Sequence, residues 1–182
     1  MNIFTFADSF EADTPFFYNN NFRITPDSAI CNEKCIENGK IKFKFYVPER
    51  IVISKVVPFV YIRISRPCKA LSQKFAHRHY EVCGYGVHFF SDTVAEGDSL
   101  DNSIFLSPPI PIISSDTNCS DKDPYSGFEC FDSAISRASQ YITLRVGDYI
   151  AIESPSLDEF GPYKDKQVIT YQDIEIELNM GE

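Results

Sequence analysis

Lys74-Phe75-Ala76-His77-Arg78-His79-Tyr80-Glu81-Val82-Cys83-Gly84-Tyr85-Gly86-Val87-His88-Phe89 is the stretch on which the fold turns. Its second half, from Glu81 to Phe90, reads as a β-strand. Just before it, Pro67 through Phe75 predicts a short helix, because proline suits a first turn and Lys69, Ala70, Leu71 and Gln73 are good helix formers. Upstream, Val52 to Ile64 is a β-branched and aromatic run that reads as one long strand. Pro58 inside it forbids one ladder hydrogen bond, which suggests an edge or a bulge.

Further out the pattern stays mostly strand. Ile41 to Val47 alternates apolar and polar residues and is closed by Pro48, and Asn38-Gly39 before it is a strong hairpin signal with Ala29 to Ile36 as the first arm. Lys40, Lys42 and Lys44 alternate with Ile41 and Phe43, which makes them the wet face of that strand. Asp92 to Ser103 and Ser114 to Ser126 read as polar loops, and the prolines keep Ser107 to Pro111 extended. The clearest helix is Asp132 to Ile142, with Asp132 as its cap and Ile135, Ala138 and Ile142 on one face. Asp148 to Ile152 and Val168 to Leu178 close the chain as strands. This order gives an α+β, mostly β domain with one main helix, not a βαβ wind.

With 182 residues, 43% hydrophobic and 14% aromatic, the chain suits one globular domain spanning residues 1–182. A net charge of −9 and the lack of any clustered Lys/Arg tract argue against nucleic acid as a partner. Met1 to Asp8 carries no basic region and no long apolar core, so the expectation is a cytoplasmic protein with no membrane span. Six cysteines, Cys31, Cys35, Cys68, Cys83, Cys119 and Cys130, are read as free thiols in a domain of this size. Cys31-x-x-x-Cys35 alone is a weak zinc signal.

The opening stretch resembles the F-A-H-R-Y-Y-D-x-x-x-x-G-x-D-F signature of the fumarylacetoacetate hydrolase family. Three further segments are similar in the right order. Phe22-Arg23-Ile24-Thr25-Pro26-Asp27-Ser28-Ala29-Ile30 looks like F-F-x-K-P-D-S-A-L, with Thr25 in place of the lysine. Ser107-Pro108-Pro109-Ile110-Pro111-Ile112 loosely resembles A-P-I-G-P-W. Phe131 to Ile150, ending Thr143-Leu144-Arg145-Val146-Gly147-Asp148-Tyr149-Ile150, is similar to the helix and T-L-x-P-G-D-x-I of the family. The resemblance implies a mixed β-roll or pseudobarrel, a homodimer, and hydrolase, isomerase or decarboxylase chemistry. In that chemistry Mg²⁺ or a similar ion grips the carboxylate and the keto or enol oxygens of a small acid.

Hard oxygen donors are what such an ion needs, and the matching positions lack them. The family's E-x-E falls on Val57 and Phe59, and its third acidic ligand falls on His88, where imidazole would favour Zn²⁺ or other transition ions over Mg²⁺. A slip of the alignment supplies nothing, because no acid lies between Arg50 and Glu81. The family's N-terminal His/Glu dyad has no histidine, since none precedes His77, and only Glu11 as a stray candidate for its glutamate. Its oxyanion lysine has no equivalent, since Phe89 to Ile113 holds no Lys or Arg. The G-T-P turn becomes Glu153-Ser154-Pro155, setting a carboxylate where relatives receive an acid. Asp92 matches the second acid of the family's D-F-T-A-R-D run, with the arginine missing and one residue deleted. The chain is also shortened between signature and helix, removing a hairpin that walls the pocket in relatives.

The resemblance therefore places His88, Asp92, Glu153 and Ser154 at a ligand pocket and leaves no usual metal ligand and no catalytic residue. A site rebuilt for another metal would draw on His77, His79, Glu81, His88, Asp92 and Glu153, with His79 and Glu81 on one strand face. Two expectations follow. One is a catalytically degenerate binding or structural homodimer with no cofactor, able to take a small carboxylate. The other is a metal-dependent enzyme of the 2-hydroxyhepta-2,4-diene-1,7-dioate isomerase type with rebuilt ligands. An unrelated β-rich module is the bland alternative. If the chain dimerises, the apolar strand Val56 to Ile64 is an edge that a partner copy would cover.

Overall fold

Alternation and β-branching produce most of the strands expected, and the exceptions are instructive. The computed structural model describes residues 2–6, 22–23, 36–49, 51–91, 103–112, 128–154, 163 and 165–180. The elements are β1 (Asn2–Phe6), β2 (Phe22–Arg23), β3 (Ile36–Glu37), β4 (Lys40–Val47), β5 (Ile53–Ile64), β6 (Tyr80–Ser91), β7 (Ile104–Leu106), β8 (Ile110–Pro111), α1 (Phe128–Tyr141), β9 (Tyr149–Glu153), β10 (Val168–Tyr171) and β11 (Ile174–Met180). Strands dominate, with one α-helix among the described residues, and the strand order does not close into a barrel there. No helix is long and apolar enough to cross a membrane. The expected Asp92 to Asn102 and Ser114 to Ser126 loops and the hairpin arm before Ile36 lie outside the described residues, as do Cys31, Cys35 and Cys119. Cys68 and Cys83 are buried as thiols, and Cys83 Sγ lies 3.8 Å from the Ile110 carbonyl.

By contact the chain divides into two compact units. The first combines Met1–Arg23, Val60–Gly84 and Pro109–Glu153. In it β1 pairs in parallel with β9, Ile3 opposite Tyr149 and Phe6 opposite Ile152, and antiparallel with β2. β8 lies on β6, Cys83 opposite Ile110. The apolar stripe of α1 (Phe131, Ala134, Ile135, Ala138) is buried against Phe6, Ile62, Ile64, Cys83 and Ile150. Each Ile or Phe side chain among them contributes about 1.5–3 kcal/mol on removal from water.

α1 starts at Phe128, four residues before the expected Asp132 cap. Asp132 sits inside the helix instead and accepts a hydrogen bond from the Tyr80 hydroxyl at 3.1 Å. The helix expected over Pro67 to Phe75 does not form either. Cys68 exchanges backbone hydrogen bonds with Leu144 at 3.1 and 3.0 Å, and Ala70 takes a φ of 50°, a left-handed value no right-handed helix admits. Tertiary pairing overrides propensity, leaving a 3₁₀ turn at Gln73–Arg78. That segment is pinned to α1 by two serines: the Ser136 hydroxyl donates to Leu71 O at 2.9 Å, and Ser139 Oγ accepts from Leu71 N–H at 2.8 Å.

The second unit combines Ile24–Phe59, Tyr85–Pro108 and Ser154–Glu182. Its four-stranded sheet runs β10-β11-β4-β3, with β4 and β11 parallel. Asn38 and Gly39 take φ of 54° and 76°, as the predicted hairpin requires. The expected single strand Val168 to Leu178 is in fact two, because Gln172 turns the chain at φ 55° before β11 returns. Ile41, Phe45, Ile174, Ile176 and Leu178 form the buried face, where Phe45 meets Phe89 and Phe105 at centroid distances of 5.1 and 5.6 Å. On the wet face Lys42 stands opposite Glu175 and Lys44 opposite Glu177, and Lys40 ion-pairs with Glu175.

Pro58 does not mark an edge. β5 lies between β9 and β6 in the strand order, and the Pro58 carbonyl accepts from Ser154 N–H at 2.8 Å. From Pro58 to Ile64, then, β5 runs inside the sheet and is not the edge expected for a second copy.

Candidate functional site

Gly86 fixes the register of the positions that the resemblance gives to the metal. A Cβ added there would meet the Phe59 ring and the Phe105 carbonyl inside 3.0 Å, so Phe59 of β5 lies across Gly86 of β6. Side chains alternate along a strand, which puts Val57, two residues from Phe59, and His88, two residues from Gly86, on that same face. β7 continues it, with Ile104 opposite His88 and Leu106 opposite Gly86. The structure thus gathers the three aligned positions on one face. Its content is apolar: Val57 is 1% exposed, Phe59 0% and His88 1%. In the first unit the same device recurs, with Tyr61 across Gly84 and its ring 5.2 Å from that of Tyr149.

His88 packs on Phe90 with ring centroids 3.7 Å apart. Burial, and then the nearby Lys55 ammonium, push its pKa down to about 3, so the imidazole is neutral at physiological pH. Lys55 in turn lies over the Phe90 ring at 5.8 Å. A hard divalent cation needs several oxygens around it. Here two of the three positions are hydrocarbon, and one of those fills the space over Gly86 with an aromatic ring. The residues do not fit Mg²⁺ or Mn²⁺.

Nor do the other candidates assemble. Among the described residues no group of three or more His, Cys, Asp or Glu comes together. His79 precedes β6 and does not share a strand face with Glu81; its Nδ1–H donates to the Arg66 carbonyl at 3.1 Å. His77 and Glu81 are exposed, and Glu153 is half-buried at the end of β9. Asp92 and Glu11 lie outside the described residues. Ser154 donates its backbone N–H to the Pro58 carbonyl, and burial raises the Tyr171 pKa.

One polar node was not read from the sequence. The Tyr85 hydroxyl donates to Asp173 Oδ1, its backbone N–H donates to Ser107 Oγ at 3.1 Å, and Tyr171 stacks edge-on at 6.1 Å. A tyrosine between two glycines on a strand that buries both faces was the available signal. It meant that the phenol needed a buried partner.

Compared by sequence, the chain matches no protein-family model and no curated protein. Compared by structure, it is similar to maleylpyruvate hydrolase from Sphingobium sp. SYK-6, with TM-score 0.63 and 14% identity over 99% of this chain and 70% of that one. The same enzyme in complex with manganese(II) ion and pyruvate gives TM-score 0.61 at 16% identity, covering 100% and 71%. 5-Carboxymethyl-2-hydroxymuconate delta-isomerase from Mycobacterium smegmatis gives 0.57 at 18%, covering 86% and 68%. A Yersinia pestis CO92 protein assigned to the fumarylacetoacetate hydrolase family gives 0.54 at 14%, covering 84% and 78%. The chain has the fold of these proteins, as the four sequence segments imply.

Proposed function

We propose that this chain is a divergent member of the fumarylacetoacetate hydrolase family that no longer runs the family's metal-dependent chemistry. It acts instead as a binding or structural protein, assembled as a homodimer and able to hold a small carboxylate. The observation that carries the reading is the Val57–Phe59–His88 face. A structural neighbour holds manganese and pyruvate, whereas these positions present an isopropyl group, a benzyl ring over Gly86 and a buried neutral imidazole. Restoring a carboxylate there would bury a charge amid hydrocarbon, at a cost of several kcal/mol without a counter-ion.

Thermal unfolding of metal-stripped protein, titrated with Mg²⁺, Mn²⁺ and Zn²⁺, tests this. An ion present at 100 times its dissociation constant would stabilise the fold by about 2.7 kcal/mol. The expected result is no shift with Mg²⁺ or Mn²⁺. A rise with either would overturn the reading in favour of a metal-dependent hydrolase or isomerase acting on a small keto or dienoic acid, and turnover of such acids would be the next assay. Sedimentation equilibrium addresses the dimer separately, and a monomer at micromolar concentration would remove that part.

A further inference from the structure

The charge of this chain is unevenly distributed. Residues 51–80 contain Lys55, Arg63, Arg66, Lys69, Lys74 and Arg78 and no acid, a local charge of +6, which leaves 11 basic against 26 acidic residues elsewhere, or −15. Five of these six cations fall between Arg63 and Arg78, in the first unit, and all five are exposed. The segment folds back on itself: Ser65 N–H donates to His79 O at 2.8 Å, and His79 Nδ1–H donates to Arg66 O at 3.1 Å, setting Arg66 beside the Gln73–Arg78 turn. At the other end Lys69 reaches the Tyr141 carbonyl at the end of α1 at 2.7 Å, and the Cys68–Leu144 bridge adds Arg145 to the same surface.

Two nearby carboxylates of the described residues are engaged with other groups. Asp132 takes the Tyr80 hydroxyl, and buried Asp148 takes the Arg145 backbone N–H at 2.9 Å. Among the described residues, no carboxylate forms an ion pair with Arg63, Arg66, Lys69, Lys74, Arg78 or Arg145. Phe75 stands in the middle of the group, 42% exposed, with the Lys74 ammonium 5.9 Å and the Arg78 guanidinium 5.1 Å from its ring centroid. Two cations on one ring hold that ring in place at the surface.

We propose that the Arg63–Arg78 surface docks a short acidic peptide segment of a partner protein, its carboxylates paired with Arg66, Lys74 and Arg78 and one apolar residue seated on Phe75. Charge complementarity selects the class. A long polyanion such as duplex DNA, or an anionic membrane, meets the net charge of −9 that the chain carries as a whole, which repels it. A segment no longer than the patch avoids that repulsion. The proposal is independent of whether the metal chemistry is lost.

Fluorescence anisotropy of the full chain with a labelled synthetic peptide, about twelve residues of alternating Glu and Asp with one central Phe, provides the test. Binding at about 50 mM salt is expected to weaken at least ~10-fold at about 200 mM. The variant Lys74→Glu/Arg78→Glu should lose at least ~10-fold, while the equally charge-changing Lys44→Glu/Lys166→Glu, in the second unit, should lose less than about twofold. A matched Gln/Asn peptide with the same Phe should not bind. Far-UV circular dichroism confirms that each variant is folded. No binding at low salt, equal losses for the two variants, or tighter binding of duplex DNA or phosphatidylserine vesicles than of the peptide would each overturn the proposal.

Discussion

β5 carries two opposite solutions to the same problem within twelve residues. At Val57 and Phe59 it carries no charge and packs hydrocarbon against Gly86; at Arg63 it emerges into a surface segment that holds only positive charge. The buried stretch is where charge would cost most, and the exposed one is where it costs almost nothing and can attract a partner. A family resemblance read from sequence reports backbone requirements at both places. The chemistry at each is set by what the surroundings can solvate.

The sharpest way to break the contrast is to put charge back into the buried stretch. Phe59→Glu is expected to lose about 4 kcal/mol or more, read from the urea midpoint, with no recovery on adding Mn²⁺. Recovery with metal would mean that the face still accepts an ion. Next in size, Gly86→Ala should cost about 1–3 kcal/mol, because the new methyl meets a packed ring on one side and the backbone carbonyl of Phe105 on the other. A neutral result there would show the Phe59 ring free to move aside.

His88 gives the contrast a pH signature. Its folded pKa is lowered to about 3 from 6.5, so between those values the unfolded chain binds a proton that the folded chain refuses. Its contribution is intact above pH 6.5 and is lost as pH falls, with a limiting slope of about 1.4 kcal/mol per pH unit. His88→Phe should flatten that part of the stability profile; an unchanged profile would reassign the acid sensitivity to carboxylates. Smallest of all, Lys40→Ala should move stability by no more than about 0.5 kcal/mol, since Lys40 is 52% exposed and its pair with Glu175 is screened by water.

How legible the fold was depends on whether local pattern or distant pairing decided each element. β4, β5, β6 and β9 followed from alternation, β-branching and turn residues, and the core face of α1 from its apolar spacing. The Pro67 to Phe75 helix failed because Leu144, far along the chain, claims the backbone of Cys68. Val168 to Leu178 failed because Gln172 adopts a left-handed turn that no glycine announced. At the site, sequence alignment brought Val57, Phe59 and His88 together and the strand register agrees. It could not show that the Phe59 ring fills the space over Gly86, because the size of a residue's neighbour across a sheet is not written beside it. Tyr85 and Asp173 were missed for the same reason.

The parallel pairing of β4 with β11 joins Ile41–Val47 to Ile174–Met180, two segments far apart in the sequence. Contacts so distant in sequence form late and slowly. During synthesis, then, β4 waits with one edge unpaired until β11 has left the ribosome. The order of emergence makes that interval the period in which nascent chains are most exposed to wrong strand pairing and most in need of a chaperone.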